Sequence, residues 1–417
     1  MRIRKEENCE VLVIGAGSAG FTAAVAAARS GADVILAERE CMAGGVLTVG
    51  GNNSIDEFNN PFLHDAKMII GGIAWELVLK LNSLGYAYIP DMDAECKGKS
   101  VKFGVKVNSL AAATVMDEML VDSGVRVMYG ATLADIEMSD SRAESAIFSV
   151  PEGLLRISAR VIIDATGDGT AAYLAGAEYR MGDENGILQP ATMRVYPSDF
   201  GDKLSDESRS LFLYSSLQRG DNINHIVGYD PTDTEKQTKG EIDARKLLLD
   251  MQNKLKNDCS DFSFLATAPR CAVRESRRIV CDHTLTLDEY ESGSADGAVC
   301  YSFWYVDIHN DKDGFFKILN SGITPKIPYA SMPVRGIENM LVCGRCIDAD
   351  RGASSALRVK ASCMAIGEAA GTAATMAKDG NVHTVDVFLL RERLADNGAI
   401  VPDLTPPKRF SDMMMNA

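Results

Sequence analysis

Short apolar runs alternate with alanine-rich segments at both ends of the chain. Residues 9–14 form an apolar run, interrupted by Glu10, that stops at Gly15, as expected of a central parallel strand. Residues 18–30 are rich in alanine and end before Gly31, which predicts a helix closed by a glycine. Residues 33–38 form a second short strand. The pattern therefore predicts a βαβ unit at the amino terminus.

Further elements of the same kind follow. Helices are predicted near 73–84 and over 108–123, and strands over 125–129 and 160–165. From about residue 182 the sequence contains more charged residues and scattered aromatic residues, and it no longer shows an alternation of strand and helix patterns. The alternation returns at Met340 and ends in a predicted helix near 354–378. The pattern thus predicts an α/β fold that is interrupted by an inserted lobe.

Composition excludes several classes of partner. The 417 residues carry 43 basic and 58 acidic side chains, a formal charge of −15, which disfavours nucleic acid. Ten dispersed cysteines without a framework predict reduced thiols and a cytoplasmic protein. The apolar stretch 11–28 just reaches the length of a membrane span, but its glycines argue against a membrane role. No spacing of cysteine and histidine predicts a metal site.

A glycine motif follows the first strand. Gly15, Gly17 and Gly20 stand in the pattern G-x-G-x-x-G, with Ser18 opening the helix. The first glycine permits a tight turn, the second lets the backbone approach a pyrophosphate, and the third lets helix and strand pack closely. Glu38 ends the second strand at a distance suited to a ribose hydroxyl. The motif predicts a dinucleotide site and does not by itself separate NAD from FAD.

Three further features favour FAD. A Gly44-Gly45 pair lies just after Glu38-Arg39, and residues 164–169 bring a strand end and glycine turn toward the same site. Residues 341–350 contain Cys-Gly-Arg-Cys before the last helix, whose N-terminus would stabilise negative charge on a reduced flavin. Only one complete glycine motif is present, so no second nicotinamide-binding domain is predicted.

Together these residues resemble the FAD-dependent oxidoreductases of the glutathione-reductase-like two-dinucleotide-binding superfamily. The branch they match is related to the glucose-inhibited division and fumarate-reductase-like flavoproteins. The resemblance implies bound FAD and a redox reaction on an organic molecule. Disulfide reductases carry redox cysteines after the Gly-Gly turn, whereas residues 45–51 contain none. The segments that carry the resemblance are 274–279, 307–309, 327–329, 339–346 and 357–371.

The predicted fold is accordingly a doubly wound parallel-sheet FAD-binding domain, glutathione-reductase-like, with an inserted α+β substrate lobe. The predicted division is 1–181 for the first part of the FAD-binding domain, 182–328 for the lobe and 329–417 for the closing segment. Residues 55–105 could belong to the FAD-binding domain or to the lobe.

The predicted FAD contacts are Gly15, Gly17, Ser18, Gly20, Glu38, Arg39, Gly44, Gly45, Val127, Ala165, Thr166, Gly167, Asp168, Gly344, Arg345, Asp348, Ser355 and Arg358.

Four side chains are candidates for the chemistry. Arg274 and Arg277 lie in a charged cluster that either clamps a substrate carboxylate or forms a structural ion-pair network. His309 suits proton transfer because histidine titrates near neutrality, although a structural histidine fits the sequence equally well. Tyr329 either donates a proton or packs. In Cys343-Gly-Arg-Cys346 the glycine and arginine are expected to contact the cofactor and the cysteines to be packing residues.

The predicted function is an FAD-dependent oxidoreductase that transfers a hydride between flavin N5 and a small organic substrate, as a dehydrogenase or a reductase. The electron acceptor is left open, and a homo-oligomer is compatible with the sequence. The first alternative is an oxygen-using oxidase or desaturase in small-molecule biosynthesis. The second is an RNA-modifying flavoprotein, which the acidic charge disfavours.

Overall fold

The computed structural model describes residues 2–60, 67–89, 104–198, 205–206, 208, 225–310, 314–319 and 322–414. The strands are β1 (Ile3–Ile14), β2 (Val34–Glu38), β3 (Ser54–Ile55), β4 (Lys67–Met68), β5 (Ala87–Tyr88), β6 (Val105–Val107), β7 (Arg126–Tyr129), β8 (Thr132–Ser139), β9 (Arg142–Val150), β10 (Gly153–Asp164), β11 (Tyr179–Arg180), β12 (Val195–Pro197), β13 (Phe264–Thr267), β14 (Arg278–Ile279), β15 (Ala298–Tyr301), β16 (Val306–His309), β17 (Gly314–Lys317), β18 (Lys326–Pro328), β19 (Met340–Val342) and β20 (Lys408–Arg409).

Ten α-helices occur within the described residues. They are α1 (Ser18–Arg29), α2 (Gly72–Ser83), α3 (Ser109–Asp122), α4 (Thr170–Leu174), α5 (Thr234–Asp258), α6 (Leu287–Ser292), α7 (Arg351–Leu357), α8 (Lys360–Met376), α9 (Val387–Asp396) and α10 (Phe410–Met414). In this part of the chain no helix combines the length and the apolar character needed to cross a membrane.

One mixed sheet organises the cofactor end of the molecule. Strands β7, β2, β1, β10 and β19 are parallel neighbours in that order. The amino-terminal half of β10 also pairs antiparallel with β9, which continues to β8. The first βαβ unit is thus confirmed, and the α/β class with a parallel-strand core holds. The β8–β9 hairpin was not predicted from the sequence, because it is not part of a βα repeat and its burial does not alternate regularly: β8 buries only Ile136, whereas β9 buries the run 145–148.

Helix α8 packs backbone to backbone on α1. A Cβ at Gly367 would lie 2.0 Å from the carbonyl oxygen of Ala19, and one at Gly371 would lie 2.1 Å from that of Ala23. The Thr22 hydroxyl donates across the same contact to the Met364 carbonyl at 2.7 Å. Small residues at these positions let the two helices approach, so the last helix is held beside the first βα turn.

The last helix differs from its prediction. Residues 354–378 were expected to form one helix, but α7 ends at Leu357 and α8 begins at Lys360. The break falls at Val359, which has the extended backbone of a helix N-cap and precedes the start of α8. Asp350 caps α7 by accepting a hydrogen bond from the Ala353 amide at 2.8 Å. This break turns the side chain of Arg358 away from the helix axis and into the cavity described below.

The region after residue 182 contains a separate small core. Helix α5 buries Ala244 and Leu248 against Met193, Tyr229 and Cys271, apart from the main apolar cluster. The antiparallel pairs β12–β13 and β16–β17 lie in the same region. The domain boundaries at 182 and 328 stay a prediction. Of the segment 55–105, residues 61–66 and 90–103 lie outside the described residues.

Candidate functional site

A cavity of about 940 Å³ opens at the carboxyl ends of the parallel strands. It lies at the ends of β1, β2, β10 and β19 and continues under the β16–β17 hairpin. Its volume is near the top of the roughly 300–1,000 Å³ range of ligand pockets, and the carboxyl edge of a parallel sheet is where such folds bind nucleotides.

The three motif glycines have different tasks. Gly15 has a φ of +100°, and its amide donates to the Ala37 carbonyl at 2.8 Å. A Cβ at Gly20 would lie 1.8 Å from the Gly15 carbonyl oxygen, so the fold itself requires glycine there. A Cβ at Gly17 would meet no protein atom within 4 Å, and this residue lines the cavity. Gly17 therefore leaves room for a ligand, as the prediction requires.

The Gly44-Gly45 turn packs on the same loop. The Gly44 amide donates to the Ala16 carbonyl at 2.7 Å, and a Cβ at Gly45 would lie 3.0 Å from the Cα of Gly17. Both glycines have positive φ angles, and Gly45 lines the cavity. The two glycine turns thus form one wall on which a dinucleotide can lie against the backbone.

Glu38 presents a fixed carboxylate at the end of β2. The side chain is buried, and its two oxygens accept hydrogen bonds from the Ala16 amide at 2.5 Å and the Glu40 amide at 2.9 Å. Each carboxylate oxygen has a further lone pair, so ribose hydroxyls can still donate to it. Arg39 and Ser18 also line the cavity. These positions suit the adenosine end of a dinucleotide.

The turn after β10 is built by a buried aspartate. Asp164 accepts from the Thr166 amide at 2.9 Å, the Thr166 hydroxyl at 2.7 Å and the Ala172 amide at 2.9 Å. This bonding fixes the 165–168 turn at the cavity wall, where Ala165, Thr166, Gly167 and Asp168 all line the cavity.

Arg345 fastens this turn to a distant segment. Its guanidinium donates to the Gly167 carbonyl at 2.9 Å, to the Val273 carbonyl at 2.6 Å and to Asp168 Oδ1 at 2.5 Å. Its charge is therefore neutralised by Asp168. Gly344 has a φ of +79° and lies close to the start of α1, since a Cβ added to it would be 2.9 Å from Ala19 Cβ. Arg345 therefore mainly holds the cavity wall in position, since Asp168 neutralises its charge.

The cysteines of that turn are buried. Cys343 and Cys346 have no exposed surface, and burial raises the pKa of both thiols well above the ordinary value. Cys346 Sγ donates to the Cys343 carbonyl at 3.5 Å. Neither thiol is therefore poised as a thiolate nucleophile. This geometry supports the packing interpretation.

With the FAD predicted from the sequence bound, replacing Cys346 by alanine is expected to keep the wild-type rate of flavin reduction, because both thiols are buried and their raised pKa keeps them protonated. The lost packing should lower the free energy of unfolding by about 1 kcal/mol. Stopped-flow absorbance and urea unfolding measure the two quantities. A variant that folds and binds FAD but no longer passes electrons onward would show that the thiol pair is a redox group.

Arg274 is a cation without a carboxylate partner inside the cavity. Its guanidinium donates to the Pro190 carbonyl at 2.8 Å and to the Thr192 hydroxyl at 2.7 Å. Burial, together with the nearby positive charge of Arg358, lowers its pKa to about 9. Among the described residues no carboxylate lies within 4.0 Å of it. An anionic ligand would supply the missing counter-charge.

Arg358 connects Arg274 to the opposite wall. It donates to the Arg274 carbonyl and to Gln189 Oε1, both at 3.1 Å, and to the Asp307 carbonyl at 2.7 Å. Its guanidinium also lies 3.5 Å from Asp307 Oδ2. Burial lowers its pKa, and the Asp307 charge opposes that effect. Arg358 is thus held by several partners at the inner end of the cavity.

His309 and Asp307 form a pair on β16. His309 Nε2 lies 2.9 Å from Asp307 Oδ1, and both side chains line the cavity. Burial alone would raise the pKa of Asp307, but the contacts with His309 and Arg358 hold it at about 2. Burial lowers the pKa of His309 below its ordinary 6.5, against the opposing effect of Asp307. The histidine is therefore neutral and the aspartate ionised at pH 7.

Several predicted site residues have structural partners and do not line the cavity. Arg277 stacks on the Tyr173 ring at 4.0 Å and donates to the Asp168 carbonyl. Its neighbours Arg278 and Arg351 bind Glu275 in an ion-pair network. Within this charged cluster Arg274 faces the cavity, whereas Arg277 and Arg278 make contacts inside the protein.

Two more predicted residues are turned into the protein. The Tyr329 hydroxyl donates to the Val382 carbonyl at 2.7 Å, and burial raises the pKa of this phenol. Asp348 is fully buried, where it accepts from the Cys281 amide and pairs with Arg180, both at 2.8 Å. Neither side chain reaches the cavity.

Four further residues that were predicted to contact FAD lie outside the cavity lining. The Ser355 hydroxyl oxygen accepts from the Asp307 amide at 3.1 Å. Val127 lies within β7, while Gly20 and Gly44 pack behind the glycine wall. None of these four lines the cavity.

Sequence reasoning missed several charged residues of the cavity lining, among them Arg194, Arg270 and Lys360, and a row of rings. Lys360 opens α8 and lines the cavity, and burial lowers its pKa to about 8. Lys360 lies inside the 357–371 segment that resembles the family, so the sequence could have indicated it. The rings of Trp304, Tyr305 and Phe316, with His225, also line the cavity, and no motif pointed to them.

The cavity fits FAD. One end offers the open space at Gly17, the N-terminus of α1 and the carboxylate of Glu38, which suit the pyrophosphate and ribose. The other end brings the N-terminus of α8 and its Lys360 to the lining, as suits the electron-rich edge of a flavin. No group of three metal-binding side chains occurs within the described residues.

Comparison with known proteins agrees with this fit. The sequence model of the FAD dependent oxidoreductase family matches residues 10–219 and 198–394. A probable fumarate reductase of Shewanella frigidimarina is 47% identical over 51 residues, which are 12% of this chain and 9% of that protein. Two solved structures are also similar. A geranylgeranyl bacteriochlorophyll reductase-like protein of Thermoplasma acidophilum has a TM-score of 0.44 at 9% identity, covering 99% of this chain and 96% of that one.

The second structure is p-nitrophenol 4-monooxygenase of Pseudomonas putida, with a TM-score of 0.38 at 13% identity over 66% of this chain and 70% of that one. The family match extends over most of the chain, and it includes the glycine wall, Glu38 and Arg345. The chain belongs to the family of FAD-dependent oxidoreductases, and its cofactor is FAD.

Proposed function

We propose that the enzyme transfers a hydride between FAD and a small organic anion held by Arg274. The observation that carries this proposal is a cation without a carboxylate partner beside a histidine–aspartate pair in the cofactor cavity. FAD, when bound, supplies the two-electron chemistry by taking or giving a hydride at N5. The protein residues then have to bind the substrate, orient it and move one proton.

Arg274 binds and orients the substrate in this proposal. The Pro190 carbonyl and the Thr192 hydroxyl fix one end of its guanidinium, so the planar fork has a defined direction. A carboxylate can accept two hydrogen bonds from such a fork, which fixes both its position and its rotation. Asp307 Oδ2 lies 3.5 Å from the Arg358 guanidinium but acts on Arg274 only from beyond 4.0 Å, so Arg274 is the better partner for the substrate.

His309 moves the proton. Because its Nε2 lies against ionised Asp307, we assign the proton to Nε2, which leaves Nδ1 as the basic nitrogen. The negative charge of Asp307 favours a proton on Nε2 and stabilises the imidazolium that forms when the histidine takes a proton from the substrate. Burial keeps the histidine neutral at pH 7, ready to act as a base in substrate oxidation.

Replacing His309 by glutamine is expected to slow substrate-dependent flavin reduction about 100- to 10,000-fold, the usual contribution of a general base. In the wild type the rate should be constant at pH 7 and fall below the lowered pKa of His309, because protonation removes the base. That acid limb should be absent in the variant. Stopped-flow measurement of anaerobic flavin reduction between pH 5 and pH 8 tests both points.

His283→Gln is the matched control, since this histidine pairs with Glu289 outside the cavity. It should keep the wild-type rate and the acid limb. An acid limb that persists unchanged in His309→Gln would assign the titration to another group and reduce His309 to a structural role.

The proposal is tested by anaerobic bleaching of the flavin with a panel of small acids. Loss of the visible flavin band on addition of an acid shows transfer to the cofactor. The fate of the electrons is then followed after air is admitted. Stoichiometric hydrogen peroxide would identify an oxidase, whereas slow reoxidation would indicate a quinone, carrier protein or free nicotinamide as acceptor.

A further inference from the structure

Aromatic rings form a continuous wall at the substrate end of the cavity. Trp304 and Tyr305 are stacked with ring centroids 4.5 Å apart, and Tyr305 lies 5.9 Å from Phe316. Phe316 meets His309 edge to face at 5.8 Å, and His309 meets His225 in the same way at 5.0 Å. All five rings line the cavity.

The β16–β17 hairpin directs one phenylalanine to this wall and its neighbour away from it. Phe316 pairs with Asp307 across the hairpin, so both side chains lie on the cavity face. Phe315 pairs with Ile308 on the opposite face, and neither of these lines the cavity. The direction of Phe316 therefore follows from the register of the hairpin.

Gly314 allows the Phe316 ring to lie back toward His309. A Cβ at Gly314 would lie 2.3 Å from Cε2 of Phe316, so only glycine leaves space for the ring in this position. Gly314 stands directly opposite His309 in the hairpin. Nevertheless, 48% of Phe316 is exposed. An apolar ring that is fixed beside the proton-transfer pair but left uncovered is suited to contact a ligand.

The polar partner of this wall is Arg274. Both it and His309 belong to the same cavity, and the charges of Arg274, Asp307 and Arg358 act on His309. A molecule that met both surfaces would place an anionic group on the guanidinium and a flat ring on the aromatic wall. A saturated chain would satisfy Arg274 but would not match the rings, since ring–ring contacts have a preferred geometry.

We infer, building on the function proposed above, that the substrate is an aromatic anion, with its acidic group on Arg274 and its aryl ring against Phe316 and Tyr305. This arrangement brings the bond next to the ring, or a substituent of the ring, to His309. The substrate class thereby follows from the pairing of Arg274 with the aromatic wall.

Binding of three matched pairs of acids to the FAD-loaded enzyme tests this inference. The pairs are benzoate and cyclohexanecarboxylate, phenylacetate and cyclohexylacetate, and 3-phenylpropanoate and 3-cyclohexylpropanoate. Dissociation constants come from calorimetry or from perturbation of the flavin absorption. The aryl member of at least one pair should bind about three- to tenfold more tightly, because aromatic contacts contribute about 0.5–1.5 kcal/mol beyond area.

Two neighbouring variants make the test specific. Phe316→Leu should remove most of the aryl preference and leave the affinity of the saturated acid nearly unchanged. Phe315→Leu, on the same strand but facing outward, should leave both affinities as they are. Equal binding of aryl and saturated acids in all three pairs would overturn the inference, as would the same effect from both variants.

The outcomes also separate this inference from the proposed function. Preferential binding of aryl acids that never bleach the flavin would support a site for aromatic anions and contradict hydride transfer from these acids. Bleaching by saturated acids without any aryl preference would support hydride transfer and overturn the substrate class.

Discussion

Replacing Arg274 by glutamine is expected to lower kcat/KM for the acid substrate about 100- to 10,000-fold while FAD stays bound. The physical reason is that the substrate anion would lose its charged partner in a partly buried site, which costs about 3–5 kcal/mol. The hydrogen bonds of Arg274 go to Pro190 and Thr192, away from the glycine wall, so the FAD contacts should persist. Steady-state kinetics and the visible flavin spectrum measure the two quantities.

Two further variants show whether the arginine acts by charge and shape. Arg274→Lys keeps the charge without the planar fork, so it should recover only part of the lost rate. Arg180→Gln removes a cation that pairs with Asp348 outside the cavity, and it should leave kcat/KM unchanged. Wild-type kinetics in Arg274→Gln would show that the substrate is not held by this residue.

Replacing Gly17 by alanine is expected to weaken FAD binding about five- to 150-fold without loss of the fold. The added methyl group meets no protein atom within 4 Å, so the apoprotein should accept it. It does enter the space of the cavity, and overpacking costs about 1–3 kcal/mol. Titration of the apoprotein with FAD, followed by flavin fluorescence, gives the affinity, and the thermal midpoint of the apoprotein reports on the fold.

Gly31→Ala is the matched control at the other end of α1. Its added Cβ also meets no protein atom, and Gly31 is not part of the cavity wall. This variant should bind FAD as the wild type does, at some cost in stability because Gly31 has a φ of +93°. Gly17→Ala with unchanged FAD affinity would contradict the position assigned to the cofactor backbone.

The sequence was most informative where function depends on the local backbone. The positive φ of Gly15 and the close contact of Gly20 with the Gly15 carbonyl are local requirements for glycine, whereas Gly17 leaves space for a ligand. Glu38 follows from its place at the end of a strand. Such features combine a motif with its strand and helix, and both are readable from periodicity.

The sequence could not show which way the side chains of a charged cluster point. Arg274 and Arg277 are three residues apart, yet Arg274 enters the cavity whereas Arg277 stacks on Tyr173. The choice depends on partners far along the chain, such as Pro190 for Arg274. Contacts of this kind are set by tertiary packing, which no local pattern records.

The aromatic wall was hidden for the same reason. It depends on the register of β16 with β17 and on the space left by Gly314, and these bring Phe316 to His309. Asp348 and Tyr329 illustrate the converse case. Tyr329 lies in a segment that resembles the family, and Asp348 lies in the 341–350 segment that was expected to contact FAD, but buried partners hold both side chains away from the cavity.

The decisive experiment for the proposed function is anaerobic reduction of the bound flavin by a small acid, compared between the wild type and Arg274→Gln. We expect that both proteins carry FAD and that only the wild type is bleached at a substantial rate. A protein purified without FAD and unable to bind it, or an Arg274→Gln variant that is bleached as fast as the wild type, would contradict the proposed function.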